Sequence, residues 1–292
     1  MKKEPAAFLQ KSSSKKAIIE RSDDNLIKGK TRYDLLILGR IMLLSVILLF
    51  PVISVSAQDT SYYTGDQTSV TVKTQQAPPA LPDYVQPECP GDGYIWTPGY
   101  WSWASDDYYW VPGVWVMPPS VNLLWTPGYW GFVDGFYGWY PGYWGTQVGY
   151  YGGIHYGFGY FGSGFYGGRW DRGHFAYNTA VWRVSKNVHN TYIDKVNINT
   201  STRNKTSFNG AGGVSYRPNK DELRGIQNHN PAVKEQRDHE QNMSNEKGQF
   251  HNVSPKPAVH SMSAPGGQRF DERGREMRMG GMPARGGRRG RG

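Results

Sequence analysis

The chain has 292 residues, of which 38% are hydrophobic and 14% aromatic, and its formal net charge is +9. The single cysteine excludes an intramolecular disulfide, so any folded part has to be held by side-chain burial. Residues 1–57 hold ten Lys and Arg against five Asp and Glu, and without them the net charge falls to +4. The rest of the chain is therefore only modestly basic.

The first 57 residues have the three parts of a secretory signal: a basic region, an uncharged apolar run over residues 41–55, and the small residues Val55-Ser56-Ala57. Cleavage is predicted between Ala57 and Gln58. The apolar run is about 15 residues long, below the roughly 20 that span a bilayer. An uncleaved anchor is the alternative, because the basic region is long. Both interpretations predict an exported chain (periplasmic, outer-surface or extracellular) whose only membrane contact is this segment.

Residues 58–93 have the composition of a linker. A polar run over residues 60–76 is followed by five prolines, and Pro-rich segments favour an extended, stiff spacer. Cys89 lies in this segment and is interpreted as a bystander, with an intermolecular disulfide as the alternative.

A hexad of the form Trp-x-Pro-Gly-[Tyr/Val]-Trp recurs four times in residues 94–148. Its first Trp falls at intervals of 14, 15 and 14 residues, and a fixed period indicates one small supersecondary unit that has been copied. The residues assigned to this structural repeat are Trp96, Pro98, Gly99, Trp101, Trp110, Pro112, Gly113, Trp115, Trp125, Pro127, Gly128, Trp130, Trp139, Pro141, Gly142 and Trp144.

The Pro-Gly pair inside each hexad is typical of a type II turn, in which Pro presets the first corner and Gly takes positive φ at the second. Each hexad is therefore predicted to reverse the chain and to set its own two Trp residues opposite each other, Trp96 opposite Trp101 in the first.

The spacers between hexads predict a second set of hairpin turns, at Ser105-Asp106 and at Asp134-Gly135. The resulting pairs are Trp101 with Trp110, Trp103 with Tyr108, Trp130 with Trp139, Phe132 with Tyr137, and Val133 with Phe136. Pro118-Pro119 cannot donate to a ladder and is predicted to separate two halves. The fold class is therefore mostly β: an antiparallel meander of about eight short aromatic strands.

The hexads resemble the YXWGXW (WXXGXW) repeat family of exported bacterial proteins. Further on, residues 207–213 (Ser-Phe-Asn-Gly-Ala-Gly-Gly), Arg217-Pro218, Glu222 and the His/Gln-rich segment up to His239 resemble the region that often follows such repeats. The resemblance covers residues 94–265, and Val114 departs from the Tyr of the other three hexads. It implies no assigned activity and transfers no catalytic residue.

Residues 149–216 form a Gly/Tyr-rich and then Asn-rich extension. The Gly-rich stretch, residues 145–168, either packs its rings closely against backbone or stays mobile, and we expect an ordered or semi-ordered extension of the sheet despite the cost of ordering glycine. Residues 175–184 are predicted to be a strand, and residues 187–199 either a strand or a short helix.

Residues 217–292 are predicted to be weakly helical and then disordered. Asn219 with Glu222 is a capping box for a helix over residues 220–226, and Asn230-Pro231 predicts the start of a second helix over residues 231–243. That second helix has almost no apolar stripe and is expected to be solvated. Beyond Ser244 the chain lacks the hydrophobics for a core and ends in an Arg/Gly-rich tail.

The aromatic array has three interpretations: a structural core, a platform that stacks on sugars, or a platform that stacks on bases. Residues 74–168 contain no Lys or Arg, which argues against nucleic acid because phosphate affinity needs cations. Tyr100, Tyr129 and Tyr143 are predicted to lie on the face opposite the paired Trp residues. They are the candidate ligand-binding residues.

No catalytic residue, metal ligand or cofactor site is predicted. The seven histidines show no close metal-ligand spacing, and no Ser, Asp or Glu lies in a nucleophile or paired-acid motif. An unrecognised hydrolase remains a remote alternative, because active sites also assemble from distant residues.

The sequence therefore predicts an exported, non-enzymatic repeat protein that acts as a structural or interaction surface at the cell envelope or matrix. The alternative is a carbohydrate-binding module using exposed Tyr and Trp. Polysaccharide or envelope polymers are the expected partners. The Arg/Gly tail is interpreted as solvating or as binding acidic envelope polymers, and RNA is not expected.

Overall fold

The structure is a computed structural model that describes residues 70–195, 205–226, 229–271 and 276–277. All of these belong to one compact unit of the chain, residues 64–292. They confirm the mostly-β fold class, with short antiparallel aromatic hairpins and two helices. The predicted signal, residues 58–69 of the predicted linker and the Arg/Gly end at 278–292 lie outside the described residues.

The four hexads form two long hairpins, each built from two hexads. The strands of the first are β2 (Ile95–Thr97), β3 (Tyr100–Ala104), β4 (Asp107–Val111) and β5 (Val114–Val116), and those of the second are β6 (Leu124–Thr126), β7 (Tyr129–Val133), β8 (Phe136–Tyr140) and β9 (Tyr143–Gly145). In each hairpin the outer strands pair with each other and the inner strands pair with each other, in one continuous register. The predicted number of eight strands is confirmed.

The tips of both hairpins are the turns that the spacers predict. Ser105 and Asp106 have φ of 52° and 71°, and Asp134 and Gly135 have φ of 52° and 82°. Two successive residues with positive φ are typical of a type I′ turn, whose twist matches that of the flanking strands. All five pairs predicted from the spacers are confirmed.

The predicted Pro-Gly turns are wrong. Trp96 lies opposite Trp115, not opposite Trp101, and Trp125 lies opposite Trp144. The four hexad glycines do not have positive φ. Each Pro-Gly pair instead interrupts a strand opposite the Pro-Gly pair of the partner strand. Proline cannot donate to the ladder at this point, so the tip turns set the register and the Pro-Gly pairs only break it.

Residues 70–93 pack against the hairpins, in contrast to the free spacer that their composition predicts. Strand β1 (Val72–Thr74) extends the second hairpin by pairing with β8. Leu81 and Cys89 are buried, and the indole N–H groups of Trp101 and Trp115 donate to the carbonyl oxygens of Ala80 and Pro87. These bonds satisfy carbonyl groups of an irregular segment that has no ladder of its own.

The extension is ordered over residues 149–195. It contains β10 (His155–Gly157), β11 (Tyr160–Phe161), β12 (Gly168–Asp171), β13 (His174–Asn178) and β14 (Thr191–Tyr192). Tyr151, Ile154 and Tyr160 are fully buried. The Tyr160 hydroxyl donates to the carbonyl oxygen of Trp125 at 3.0 Å and lies 3.3 Å from that of Trp96. One phenol therefore joins the outer strands of both hairpins. The strand predicted over residues 175–184 is confirmed only in its first part, as β13.

The C-terminal part is more ordered than predicted. Its elements are β15 (Phe208–Asn209), α1 (Lys220–Arg224), β16 (Asn230–Pro231), α2 (Lys234–Ser244), a 3₁₀ turn (Lys247–Gln249), β17 (Ser261–Met262), β18 (Arg269–Phe270) and β19 (Glu276–Met277). None of the described helices is long and apolar enough to cross a membrane.

Two predictions for this part need correction. The capping box of α1, Asn219 with Glu222, is confirmed, but Asn230 does not cap α2, because Asn230 and Pro231 pair with β9. The chain from 245 to 271 also packs, with Val259 and Met262 buried. Few hydrophobics are needed there, because the first hairpin supplies a ring contact, Tyr109 with Phe250, and backbone hydrogen bonds to His251 and Met262.

Candidate functional site

Each hexad glycine lies under an indole of the partner hexad. A Cβ built on any of the four would lie within 2.6 Å of Cζ2 of that indole, closer than side-chain carbons approach. The pairs are Gly99 with Trp110, Gly113 with Trp96, Gly128 with Trp139, and Gly142 with Trp125. An aromatic ring that covers a strand glycine replaces the missing side-chain contacts. The first Trp and the Gly of the hexad therefore form one packing unit across each hairpin.

The four Pro-Gly interruptions meet at one groove between the two hairpins. Its lining includes the four hexad prolines, Pro98, Pro112, Pro127 and Pro141. The groove encloses about 80 Å³. Because the ladder is broken at these positions, the two hairpins leave space here that paired strands would fill.

Aromatic rings form the walls of the groove. Tyr100 is half-buried and stacks on Trp139, with ring centroids 5.0 Å apart and ring planes at 16°. Trp125 and Trp139 are the two hexad indoles with the largest exposed fractions, 6% and 8%. Tyr156 donates its hydroxyl to the carbonyl oxygen of Gly128 at 2.6 Å. The groove is thus where the otherwise buried hexad rings come closest to solvent.

Helix α2 supplies the polar lining. Gln236, His239 and Glu240 are spaced three and four residues apart, so they share one face of the helix. His239 is buried and its Nε2 donates to the carbonyl oxygen of Pro112 at 2.8 Å. Burial lowers the pKa of His239 to about 4, so the imidazole is neutral near pH 7. This polar face of α2 therefore packs through hydrogen bonds. It has no hydrophobic stripe, so the sequence pattern could not indicate that it is covered.

Glu240 accepts a hydrogen bond from the first hairpin. Ser102 Oγ donates to its carboxylate at 2.7 Å, and the phenols of Tyr100 and Tyr109 lie close enough for the carboxylate to raise their pKa values. Burial raises the pKa of Tyr109 to about 12, with a further contribution from the Glu240 charge. The carboxylate therefore connects α2 to strands β3 and β4.

The three predicted ligand-binding tyrosines do not share an exposed face. Tyr100 lines the groove, whereas Tyr129 and Tyr143 are 7% and 4% exposed. Tyr129 stacks on Tyr140 at 4.8 Å, and Tyr143 packs against His229 at 4.9 Å. The structure therefore brings one of the three to a position that a ligand could reach.

The described residues contain no group of three or more His, Cys, Asp and Glu side chains placed to hold a metal ion. For the chain as a whole, the expectation that it has no metal site and no catalytic residue stays a prediction. The sequence did not identify Gln236, His239 and Glu240 as groove residues. Their helical spacing was the only feature that could have indicated that they share a face.

The fold and the groove define a mostly-β protein built from paired Trp-x-Pro-Gly-x-Trp hairpins. In comparisons with known proteins, the family model described as WXXGXW repeat (2 copies) matches residues 91–116. The chain thus carries the WXXGXW repeat, and the two matched copies coincide with the first hairpin. No curated protein and no solved structure is significantly similar to the chain.

Proposed function

We propose that this WXXGXW-repeat protein is an exported, non-enzymatic scaffold that presents a structural or interaction surface at the cell envelope or matrix. One observation carries the scaffold role: the hexad indoles are used for internal packing. Six of the eight are at most 1% exposed. A chain without disulfides gains from such burial, because each aromatic pair adds about 0.5–1.5 kcal/mol beyond its buried area.

The polar atoms of the rings support the same role. The indole N–H groups of Trp101, Trp115 and Trp110 donate to carbonyl oxygens of Ala80, Pro87 and His260, which lie before and after the hairpins in the chain. The repeats thereby hold two irregular segments that could not order themselves. A repeat domain that anchors both flanking segments suits a structural protein.

Carbohydrate binding is the weaker alternative. It needs exposed rings, and Tyr129 and Tyr143 are buried. Tyr100 is the one candidate of the three that a sugar could touch, and one face of its ring is already covered by the stack on Trp139. An unrecognised hydrolase is favoured by no observation in the described residues.

Export is tested with the full chain carrying a C-terminal tag in a bacterial host. We expect a mature protein that begins at Gln58 in the envelope or periplasmic fraction, as measured by intact mass after fractionation. Full-length protein confined to the cytoplasmic fraction would contradict the proposal.

The scaffold role is tested against carbohydrate binding by retention on insoluble polysaccharides. We expect no saturable retention of the wild type. Retention that is lost in Tyr100→Leu but kept in Tyr166→Leu, a matched change of an exposed tyrosine outside the groove, would instead make the protein a carbohydrate-binding module.

A further inference from the structure

The groove at the four Pro-Gly interruptions carries one formal charge, the carboxylate of Glu240. No Lys or Arg is among its lining residues, and the neighbouring His239 is neutral near pH 7. The formal charge of the lining residues is therefore −1, from Glu240 alone. An anionic ligand is disfavoured there, because the groove offers no cation to pair with it.

The described residues around Glu240 do not compensate its charge. Its hydrogen-bond donor Ser102 and the nearby Tyr100 and Tyr109 carry neutral hydroxyl groups. Among the described residues no Lys or Arg forms an ion pair with it, and Arg269, whose charge acts on His239, is paired with Glu246. A half-buried carboxylate without a counter-ion favours binding of a cation from outside.

The walls of the groove also favour a cation. Trp125, Trp139, Tyr100 and Tyr156 are four aromatic side chains that line one small space with Glu240. The faces of Trp and Tyr rings attract ammonium and guanidinium groups, and the attraction grows when water is excluded. Tyr100 and Trp139 stack on each other, so each contributes only the part of its ring that lies outside this stack.

The size of the groove sets an upper limit on what it encloses. Its volume is about 80 Å³, whereas a cavity that encloses benzene measures about 150 Å³. A pyranose ring is bulkier than benzene and does not fit inside. A guanidinium or a methylammonium head group is smaller than benzene and does fit.

We propose that this groove binds the head group of a small organic cation, with Glu240 as the counter-ion and the four rings as the walls. The site goes beyond the scaffold role, which would stand if the groove bound nothing. The site does not depend on export either. A negative result for cation binding would therefore leave the proposed scaffold function standing, and the reverse also holds.

The experiment is a calorimetric titration of the folded protein with methylguanidinium and with methylammonium, each matched by a neutral compound of similar shape, methylurea and methanol respectively. We expect saturable binding of at least one cation with a millimolar dissociation constant, and no binding of the neutral compounds. If only methylguanidinium binds, the head group is a hydrogen-bonding guanidinium; if methylammonium binds equally well, the charge and the rings dominate.

Glu240→Gln removes the charge and keeps an acceptor for Ser102. It is expected to weaken binding about tenfold, the loss typical of one charged partner. Glu235→Gln, an exposed position on the same helix, is the matched control and should bind like the wild type. Equal binding by Glu240→Gln, or no binding of either cation by the wild type, would overturn the proposal.

A measurement on the wild type covers the case in which Glu240→Gln fails to fold. In a ¹⁵N-labelled sample, the bound cation should shift the indole N–H resonances of Trp125 and Trp139. The resonance of Trp115, which is fully buried and does not line the groove, should stay unchanged. Shifts confined to indoles outside the groove would show that the cation binds elsewhere and refute the site.

Discussion

Trp130 of the second hairpin donates its indole N–H to the backbone carbonyl oxygen of Trp101 in the first, at 2.8 Å. Both side chains are at most 1% exposed, so this bond is shielded from water. It joins the two hexad pairs directly, between strands that do not pair with each other. The relative position of the two hairpins therefore depends on side chains, Trp130 here and Tyr160 at the outer strands, and not on a ladder.

Removal of this bond should destabilise the protein strongly. Trp130→Phe leaves the Trp101 carbonyl oxygen without its donor and creates a cavity, and we expect a loss of about 2–4 kcal/mol in the free energy of unfolding. Urea unfolding followed by circular dichroism measures it. Trp103→Phe, at the half-buried tip of the first hairpin, is the control and should cost less than about 1 kcal/mol. Equal losses in the two variants would contradict the bridging role.

Gly128 should not tolerate even one added carbon. The Cβ of Gly128→Ala would lie 2.6 Å from Cζ2 of Trp139 and 2.7 Å from the backbone nitrogen of Gly142. Overpacking of this kind typically costs about 1–3 kcal/mol, and more where backbone has to move. The melting temperature is the measurement. Gly91→Ala meets no atom within 4 Å and needs no positive φ, so its melting temperature should be unchanged. A wild-type melting temperature for Gly128→Ala would refute the close packing of the hexads.

His239 should make the protein sensitive to mild acid. Burial lowers its folded-state pKa to about 4, while the unfolded value is about 6.5. Below pH 6.5 the unfolded chain binds the proton and the folded chain does not. The stability from this group is therefore complete above pH 6.5 and is lost as the pH falls towards 4, by about 3 kcal/mol.

The test compares urea unfolding at pH 7 and pH 4.5. His239→Gln can still donate to the Pro112 carbonyl oxygen, and it should lose less stability than the wild type between the two pH values. His174→Gln, at an exposed position, should behave like the wild type. The same pH dependence in His239→Gln and wild type would show that His239 is not the group responsible.

Cys89 should be unreactive in the folded protein. It is fully buried, and burial raises the pKa of its thiol to about 11, so little thiolate forms near pH 8. We expect no reaction with a thiol reagent at pH 8 under native conditions, and one equivalent after unfolding in urea. Rapid reaction of the native protein would favour the intermolecular disulfide that the sequence leaves open.

The local part of the fold could be predicted because it depends on neighbours in the chain. Asp134-Gly135 and Ser105-Asp106 adopt positive φ by their own chemistry, and the distance of each ring from the turn then sets its partner. The same holds for the capping box of α1, which needs only Asn219 and Glu222. The WXXGXW repeat was recognisable for the same reason, since the hexads recur at a nearly fixed spacing in the sequence.

The sequence by itself determined the ring pairs about each tip turn and the mostly-β class, because both follow from contacts within a few residues. Only the tertiary structure decided what the Pro-Gly pairs do. A Pro-Gly dipeptide can form a turn or interrupt a strand. Here it interrupts a strand, because each hexad pairs with the other hexad of its hairpin, about 14 residues away, and not with itself. The groove and the packing of residues 70–93 and 245–271 were decided in the same way. Indole groups of the hairpins donate to carbonyl groups more than 20 residues away, and no local sequence pattern indicates such bonds.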